Sequence, residues 1–215
     1  MLKRPILIIF LVLLFDQTLK FWIKTNMYLG QEFHIAGDWF IIHFTENNGM
    51  AFGMEFAGEF GKLFLSVFRI IAVCGIGWYL NHLVKHKAHY MLVTAIALIF
   101  AGAMGNILDS TFYGMIFSAS DFQLAQLFPP EGGYSSFLHG KVVDMFYFPV
   151  LKGNFPDWMP IWGGEYFIFF RPVFNIADSS ISIGVGLIIF FQSIIFREKK
   201  DEVSETNNQI PVSEV

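Results

Sequence analysis

The chain has 215 residues, of which 54% are hydrophobic and only 15% are charged, and its formal net charge at pH 7 is −4. Soluble domains carry about 25% charged residues, so this composition excludes an ordinary soluble domain and indicates an integral membrane protein. A weakly acidic chain gives no electrostatic support for nucleic-acid binding. The single cysteine, Cys74, excludes an intramolecular disulfide, and the residue spacings of common metal and redox sites are absent.

Four apolar segments are long enough to cross a membrane as helices, which requires about 20 residues each. They cover approximately residues 5–23, 62–83, 90–108 and 172–196. Basic residues at their ends fall on one side of this topology, namely Lys3, Arg4, Lys85, Lys87, Arg197, Lys199 and Lys200. Because basic loops stay on the cytoplasmic side, we expect both termini to be cytoplasmic. We expect residues 1–197 to form a single domain and residues 198–215 a disordered tail.

Two long connections, roughly residues 24–61 and 109–171, face the opposite side. The first contains two strand-like runs, residues 32–35 and 39–44, around a short turn, and we expect a small sheet over about residues 30–56. The second is rich in aromatic residues, which is typical of the membrane–water interface. The predicted fold class is therefore a membrane all-α core of four transmembrane helices with a small extracytoplasmic β-sheet and extended outer loops.

Polar residues gather near the predicted outer ends of the spans. They are Asn47, Asn106, Asp109, Asp144, Asn175 and Asp178. An ionisable residue at membrane depth is costly enough to count as a functional candidate by default. On a helix, Asn175 and Asp178 share a face, because residues three apart are neighbours. The topology could bring the whole set together.

Asp144 and Asp178 suggest acid–base chemistry. Two carboxyl groups held close together do not both ionise easily, so such a pair tends to share one proton near neutral pH. One group can then deprotonate a water while the other donates a proton to a carbonyl oxygen. This arrangement would hydrolyse a peptide bond without metal, serine or cysteine.

Structural roles stay open for several of these residues. Asp178 could cap the fourth helix, and Asp109 could be an ordinary polar residue at a helix end. Asp16 and Lys20 are four residues apart and predict an ion pair on the first helix. Arg69, inside the second span, either pairs with an acid or extends its side chain toward the interface. Gly102 and its small neighbours would let another helix approach closely.

Two other classes of function also stay open on the residues alone. A small proton-coupled membrane transporter could use intramembrane carboxylates as a proton relay. A non-catalytic membrane assembly factor could carry the same residues as structural groups. The peptidase hypothesis is favoured because the acids cluster at one face and no predicted span is broken by proline.

Five short motifs follow one another along the chain: Asp16-Gln-Thr-Leu-Lys20, Asn47-Asn-Gly-Met-Ala-Phe52, Gly102-Ala-Met-Gly-Asn106-Ile-Leu-Asp109, Val142-Val-Asp144 and Phe174-Asn-Ile-Ala-Asp178. In this order they resemble lipoprotein signal peptidase, the type II signal peptidase of bacterial membranes. The resemblance covers about residues 5–197. It implies an aspartyl endopeptidase that cleaves the signal peptide from a diacylglyceryl-modified prolipoprotein just before the lipidated cysteine.

The resemblance also implies roles for single residues. Asp144 and Asp178 match the catalytic pair. The positions that shape the site or contact substrate are matched by Asn47, Gly49, Asn106, Asp109 and Asn175, with Asp16 and Lys20 as the polar pair of the first helix. The implied partners are a lipid-modified prolipoprotein and membrane lipid, with no cofactor, metal or nucleic acid, and we expect a monomer. The implied location is the bacterial cytoplasmic (inner) membrane, with the active site near its outer face.

The chain departs from the family pattern at two places. Ser110 stands where the family has an arginine after Gly-Asn-x-x-Asp, and Arg171 is a candidate to replace that arginine from another direction. Residues 110–141 and 150–171 are longer than the usual connections. We expect these added loops to alter access to the site or substrate preference.

Overall fold

A computed structural model describes residues 2–48 and 58–208, with side chains from 2–48 and 61–195. The elements, in chain order, are α1 (Lys3–Asn26), β1 (Glu32–Ala36), β2 (Phe40–Asn47), α2 (Gly58–Lys85), α3 (Tyr90–Leu108), a π-helical segment (Asp109–Tyr113), α4 (Gly114–Ile116), β3 (Val142–Tyr147), β4 (Leu151–Asn154), β5 (Tyr166–Phe169), β6 (Val173–Phe174) and α5 (Ile176–Asn208). In this part of the chain, four helical stretches are long and apolar enough to cross a membrane: Lys3–Asn26, Gly61–Lys85, Tyr90–Ile116 and Ile176–Ile195.

The helix ends differ from the sequence-based expectation at two spans. The third span continues beyond residue 108 through the π-helical segment to Ile116, because Asp109 is buried and bonded inside the protein and does not end the helix. The fourth helix begins at Ile176 rather than at residue 172, since Val173 and Phe174 pair with β3 as a strand. This helix continues to Asn208, through part of the predicted tail. Disorder of residues 198–215 stays a prediction, and residues 209–215 lie outside the described residues.

The small sheet has four antiparallel strands in the order β1-β2-β3-β6. The hairpin β1–β2 agrees with the strand–turn–strand prediction, whereas β3 and β6 come from the distant second connection. The last part of the predicted sheet range 30–56 falls on residues 49–57, which lie outside the described residues. Strands β4 and β5 form a separate antiparallel pair. The predicted fold class, four membrane helices with a small sheet, is confirmed.

Strand register brings the two outer connections to one place. Thr45 of β2 lies opposite Asp144 of β3, and Asn47 lies opposite Val142. At the other end of β3, Phe146 pairs with Phe174, just before α5 begins. The sheet therefore sets the position of Asp144 relative to both Asn47 and the start of the last helix.

The main hydrophobic core lies where the end of α1 meets the sheet. It includes Ile23 of α1, Met27 directly after that helix, Phe44 of β2 and Val143 of β3, all completely buried. Phe117, which follows α4, belongs to the same cluster and is also completely buried. Residues after the third span are thus packed into the core that supports the site.

Helices α3 and α5 approach closely at Gly102. A Cβ added to Gly102 would overlap the carbonyl oxygen of Ala177, and one added to Gly105 would lie 2.8 Å from Oδ2 of Asp16. Small residues at helix interfaces in membranes allow this close approach. The expected contact of the small-residue run with another helix is therefore confirmed.

Gly102→Ala should destabilise the protein, because the added methyl group has no space between α3 and α5. Overpacking of this kind costs about 1–3 kcal/mol. Gly75→Ala on α2 is the matched control, since a Cβ there meets nothing within 4 Å. Thermal unfolding in detergent should show a lower midpoint for Gly102→Ala alone; equal midpoints for the two variants would contradict the close contact.

Candidate active site

A buried ion triad joins the first and third spans. Nζ of Lys20 lies 2.9 Å from Oδ2 of Asp16 and 2.8 Å from Oδ2 of Asp109, and all three side chains are completely buried. The predicted Asp16–Lys20 ion pair is confirmed, and Asp109 is a member of this triad rather than an ordinary residue at a helix end. Nε2 of Gln17 donates a hydrogen bond of 3.0 Å to each of the two carboxylates, so both acids have additional donors, as buried charges require.

Each carboxylate of the triad also holds a backbone group directly before a candidate catalytic aspartate. Oδ1 of Asp16 accepts a hydrogen bond of 2.9 Å from the N–H of Ala177, the residue before Asp178. Oδ2 of Asp109 accepts a bond of 3.2 Å from the N–H of Val143, the residue before Asp144. The Asp16 carboxylate lies at the start of α5, where free N–H groups and the helix dipole favour a negative charge. The triad thus fixes the backbone on which both aspartates are carried.

Asn175 contacts both candidate catalytic side chains. Its Nδ2 donates to Oδ1 of Asp144 at 2.7 Å, and its backbone N–H donates to Oδ2 of Asp178 at 3.4 Å. Its Oδ1 accepts from the N–H of Asp178 at 2.9 Å. The two reciprocal bonds with Asp178 form a capping box at the start of α5. One asparagine therefore caps the helix and holds the two carboxyl groups in a fixed relation.

Two more asparagines complete the surroundings of the pair. Nδ2 of Asn106 donates to Oδ1 of Asp178 at 2.8 Å, and Oδ1 of Asn106 accepts from Nζ of Lys20 at 3.0 Å. The side chain of Asn47 hydrogen-bonds Asp144. Asn106 therefore links the ion triad to Asp178, and Asn47 at the end of β2 holds Asp144 of the neighbouring strand β3.

The environment of Asp144 favours its protonated form. Its residue surface is 4% exposed. Burial and then the negative charge of Asp178 raise the pKa of Asp144 to about 7, against the opposing effects of Lys20 and of the Asn47 hydrogen bond. The site therefore holds a carboxyl group that keeps its proton close to neutral pH, next to a second carboxyl group.

Comparisons with known proteins identify the family of the chain. Residues 8–194 match the family described as Signal peptidase (SPase) II. The lipoprotein signal peptidase of Porphyromonas gingivalis is 54% identical over 183 residues, which are 85% of this chain and 79% of that protein. The chain belongs to the signal peptidase II family. It is a membrane protease of the aspartic type, which decides against the transporter and assembly-factor alternatives.

A more distant relative has the same family name, and two solved structures share the fold. The lipoprotein signal peptidase of Amoebophilus asiaticus is 38% identical over 182 residues, covering 83% of this chain and 73% of that protein. A bacterial membrane enzyme solved by the in meso method at 2.3 Å resolution superposes with a TM-score of 0.57 at 28% identity, over 99% of this chain and 94% of the other. A second, solved at 1.9 Å, gives a TM-score of 0.56 at 30% identity, over 87% and 90% of the two chains.

The structure of this signal peptidase brings most of the predicted site residues together. Asp144, Asp178, Asn47, Asn106 and Asn175 form one hydrogen-bonded group. Asp16, Lys20 and Asp109 form the ion triad that adjoins it. Gly49 lies outside the described residues. The catalytic and substrate-binding roles of these residues stay predictions.

Sequence reasoning missed two parts of the site's support. Gln17 bridges the two acids of the triad and accepts a hydrogen bond of 3.2 Å from Oη of Tyr113. Lys24 has a completely buried side chain, and its Nζ lies 2.6 Å from Oε1 of Glu46 and 2.7 Å from Oγ of Ser120. The signal that could have found Lys24 is the four-residue spacing of Asp16, Lys20 and Lys24, which places them on one helix face.

The arginine close to the aspartates of this signal peptidase is on α2. Arg171 is exposed, whereas Arg69 lines a cavity of about 200 Å³ together with Asn106 and Asp178. Arg69 interacts electrostatically with Asp178 and, second, with Asp144. Ser110 is almost completely buried and donates from Oγ to the backbone oxygen of Asn106 at 3.0 Å. Of the two roles open to Arg69, the structure favours interaction with an acid, and it favours Arg69 over Arg171 as the arginine of the site.

Proposed function

We propose that this signal peptidase removes the signal peptide from diacylglyceryl-modified prolipoproteins, cutting just before the lipidated cysteine with a water activated between Asp144 and Asp178. The observation that carries the proposal is the pair of carboxyl groups held by one asparagine, Asn175. Lipoprotein precursors are the substrate class expected of a signal peptidase II. Support for the mechanism comes from the raised pKa of Asp144, which fits the acid of such a pair.

The proposed reaction divides two roles between the aspartates. The Asp178 carboxylate takes a proton from water while the water oxygen attacks the scissile carbonyl carbon, and protonated Asp144 donates its proton to the carbonyl oxygen. The resulting diol collapses when Asp178 passes the proton it took from water to the amide nitrogen and Asp144 takes a proton back from a diol hydroxyl, so that the C–N bond breaks and the pair returns to its starting form. The products are a signal peptide with a new carboxylate and a lipoprotein with a free amine on its lipidated cysteine.

The setting of the site supports delivery of the substrate from the membrane. We place both termini on the cytoplasmic side, because the basic residues lie at those ends of the spans, and the aspartates near the outer face, where the sheet lies. A signal helix would reach the pair from within the bilayer, and water would reach it from outside. We infer that one domain, residues 1–197, is active as a monomer, because the two aspartates and the side chains that hold them form a connected group within those residues.

The experiment that tests this function compares two peptides that differ only in lipidation. The purified protein, in detergent or lipid, is given a diacylglyceryl-modified prolipoprotein peptide and its unlipidated counterpart. Cleavage directly before the cysteine, with the lipidated peptide strongly preferred, is the expected result. Equal cleavage of both peptides would contradict the lipid requirement, and a folded protein that cleaves neither would contradict the function.

The rate of cleavage should fall as the pH rises through about 7, the pKa to which burial and Asp178 raise Asp144. The protonated fraction of Asp144 is nearly complete about one unit below that pH, and well above it the fraction falls about tenfold per unit. The measurement is kcat/KM against pH, since it reports the free enzyme, with binding of a non-cleavable lipopeptide as the control. A value of kcat/KM that rises steadily through this range would contradict the assignment of the acid.

A further inference from the structure

Arg69 is a charged residue in the middle of an apolar span. It lies within the spanning stretch Gly61–Lys85 of α2. Its neighbours Phe68 and Ile71 are 59% and 65% exposed, as expected of side chains that face lipid, whereas Arg69 is only partly exposed and lines the cavity beside Asp178. A cation at membrane depth is costly and almost always faces an interior or a counter-charge. The position of Arg69 therefore indicates that its counter-charge is the aspartate pair.

The cavity that Arg69 lines is mostly apolar. Its volume is about 200 Å³, and side chains of α2, α3 and α5 form its walls. Of the described residues around it, Arg69 is the only cation and Asp178 the only anion. Charges interact more strongly in such surroundings than in water, because the effective dielectric constant is lower. Among the described residues, the guanidinium group is thus the positive charge that shares this cavity with Asp178.

The other nearby cation already has its counter-charges. Lys20 lies between Asp16 and Asp109 at 2.9 and 2.8 Å, and it reaches Asp178 only through the side chain of Asn106. The triad as a whole has two acids for one base. An aspartate pair that shares one proton carries one negative charge, which Arg69 can balance. Arg69 and the aspartate pair together then carry no net charge, as membrane surroundings favour.

We propose that Arg69 is the positioning cation of the aspartate pair: from the cavity beside Asp178 it supplies the positive charge that the base of the pair faces when it takes a proton from water. Arg69 lines the same cavity as Asp178, and Asp144 is not among the described residues that line it, so the positive charge lies on the Asp178 side of the pair. Of the described residues, the charged groups that face Asp178 are Arg69 from α2 and Asp144 from β3, with Lys20 and Asp109 behind Asn106. This inference rests on the proposed function, because it assigns the roles within the same pair.

The test is a pH profile of kcat/KM for Arg69→Gln and Arg69→Lys with the diacylglyceryl peptide. Gln keeps much of the side-chain length but has no charge, whereas Lys keeps the charge. The acidic limb of this profile is the range at low pH where kcat/KM rises as the base of the pair loses its proton. An opposite charge nearby shifts ionisation by about 1–3 pH units, so Arg69→Gln should move this limb to higher pH by about one unit or more. Arg69→Lys should keep the acidic limb close to its position in the unchanged protein. Arg171→Gln, which removes an exposed arginine, is the matched control and should leave the profile unchanged.

An acidic limb that stays in place in Arg69→Gln would overturn the inference, and a shift in Arg171→Gln alone would assign the role to Arg171. Failure of the proposed function has a different signature, which is a full rate in Asp178→Asn. If Arg69→Gln does not fold, the double variant Arg69→Gln/Asp178→Asn should be recovered in the membrane, because removing both partners of a partly buried pair costs less than removing one. A double variant that is lost as completely as the single one would overturn the pairing.

Discussion

Asp144→Asn and Asp178→Asn are each expected to abolish cleavage of a lipidated prolipoprotein peptide while the protein stays folded. An asparagine has the size of an aspartate and can keep a hydrogen bond to Asn175 or Asn106, but it cannot exchange a proton with water or with the scissile carbonyl. General acid–base catalysis contributes about 10²–10⁴-fold per group. The loss in kcat/KM should therefore be about 10³-fold or more for either variant.

The two variants need controls for folding and for charge. Asp157→Asn, in the connection between β4 and β5, removes an exposed carboxylate and should keep the full rate. Thermal unfolding and binding of a non-cleavable lipopeptide should be close to those of the unchanged protein for all three variants. If either Asp144→Asn or Asp178→Asn kept more than about a tenth of the rate, that residue would not belong to the catalytic pair. A loss of less than about tenfold is too small for a missing general acid or base.

Local patterns explain why much of the fold can be predicted from the sequence. Long apolar runs indicate the four spans, and the alternating residues around Gly37 indicate the hairpin β1–β2. The pairing of β3 with β2 and β6 has no local signal, because those strands are far apart in the sequence. The position of Asp144 beside Asp178 depends on that pairing. The two acids can be identified as candidates, but the register that brings them together cannot.

The same distinction holds for the candidate site. Asp16 and Lys20 form a pair at helical spacing and can be predicted, whereas the hydrogen bonds from Ala177 and Val143 to the triad are long-range backbone contacts. Asp109 resembles an ordinary helix end when the span is assumed to stop at residue 108. Its burial beside Lys20 depends on the continuation of the helix, which an apolar segment alone does not determine.

Lys20→Met is the single change with the largest expected cost to folding. It leaves Asp16 and Asp109 completely buried without their cation. Removing one partner of a buried ion pair costs about 3–5 kcal/mol, a large part of the roughly 5–15 kcal/mol by which proteins are stable. The yield of membrane-inserted protein and its thermal midpoint in detergent should both fall sharply.

The compensating variant Lys20→Met/Asp109→Asn separates a charge effect from a packing effect. Asp16 would keep its bonds from Ala177 and Gln17, and one uncompensated carboxylate would be gone, so the double variant should be more stable than Lys20→Met alone. Lys152→Met, at an exposed position of β4, should leave the midpoint unchanged. A Lys20→Met protein as stable as Lys152→Met would mean that the triad does not support the fold. The carboxylates of Asp16 and Asp109, which hold the backbone next to Asp178 and Asp144, would then need another reason to be buried together.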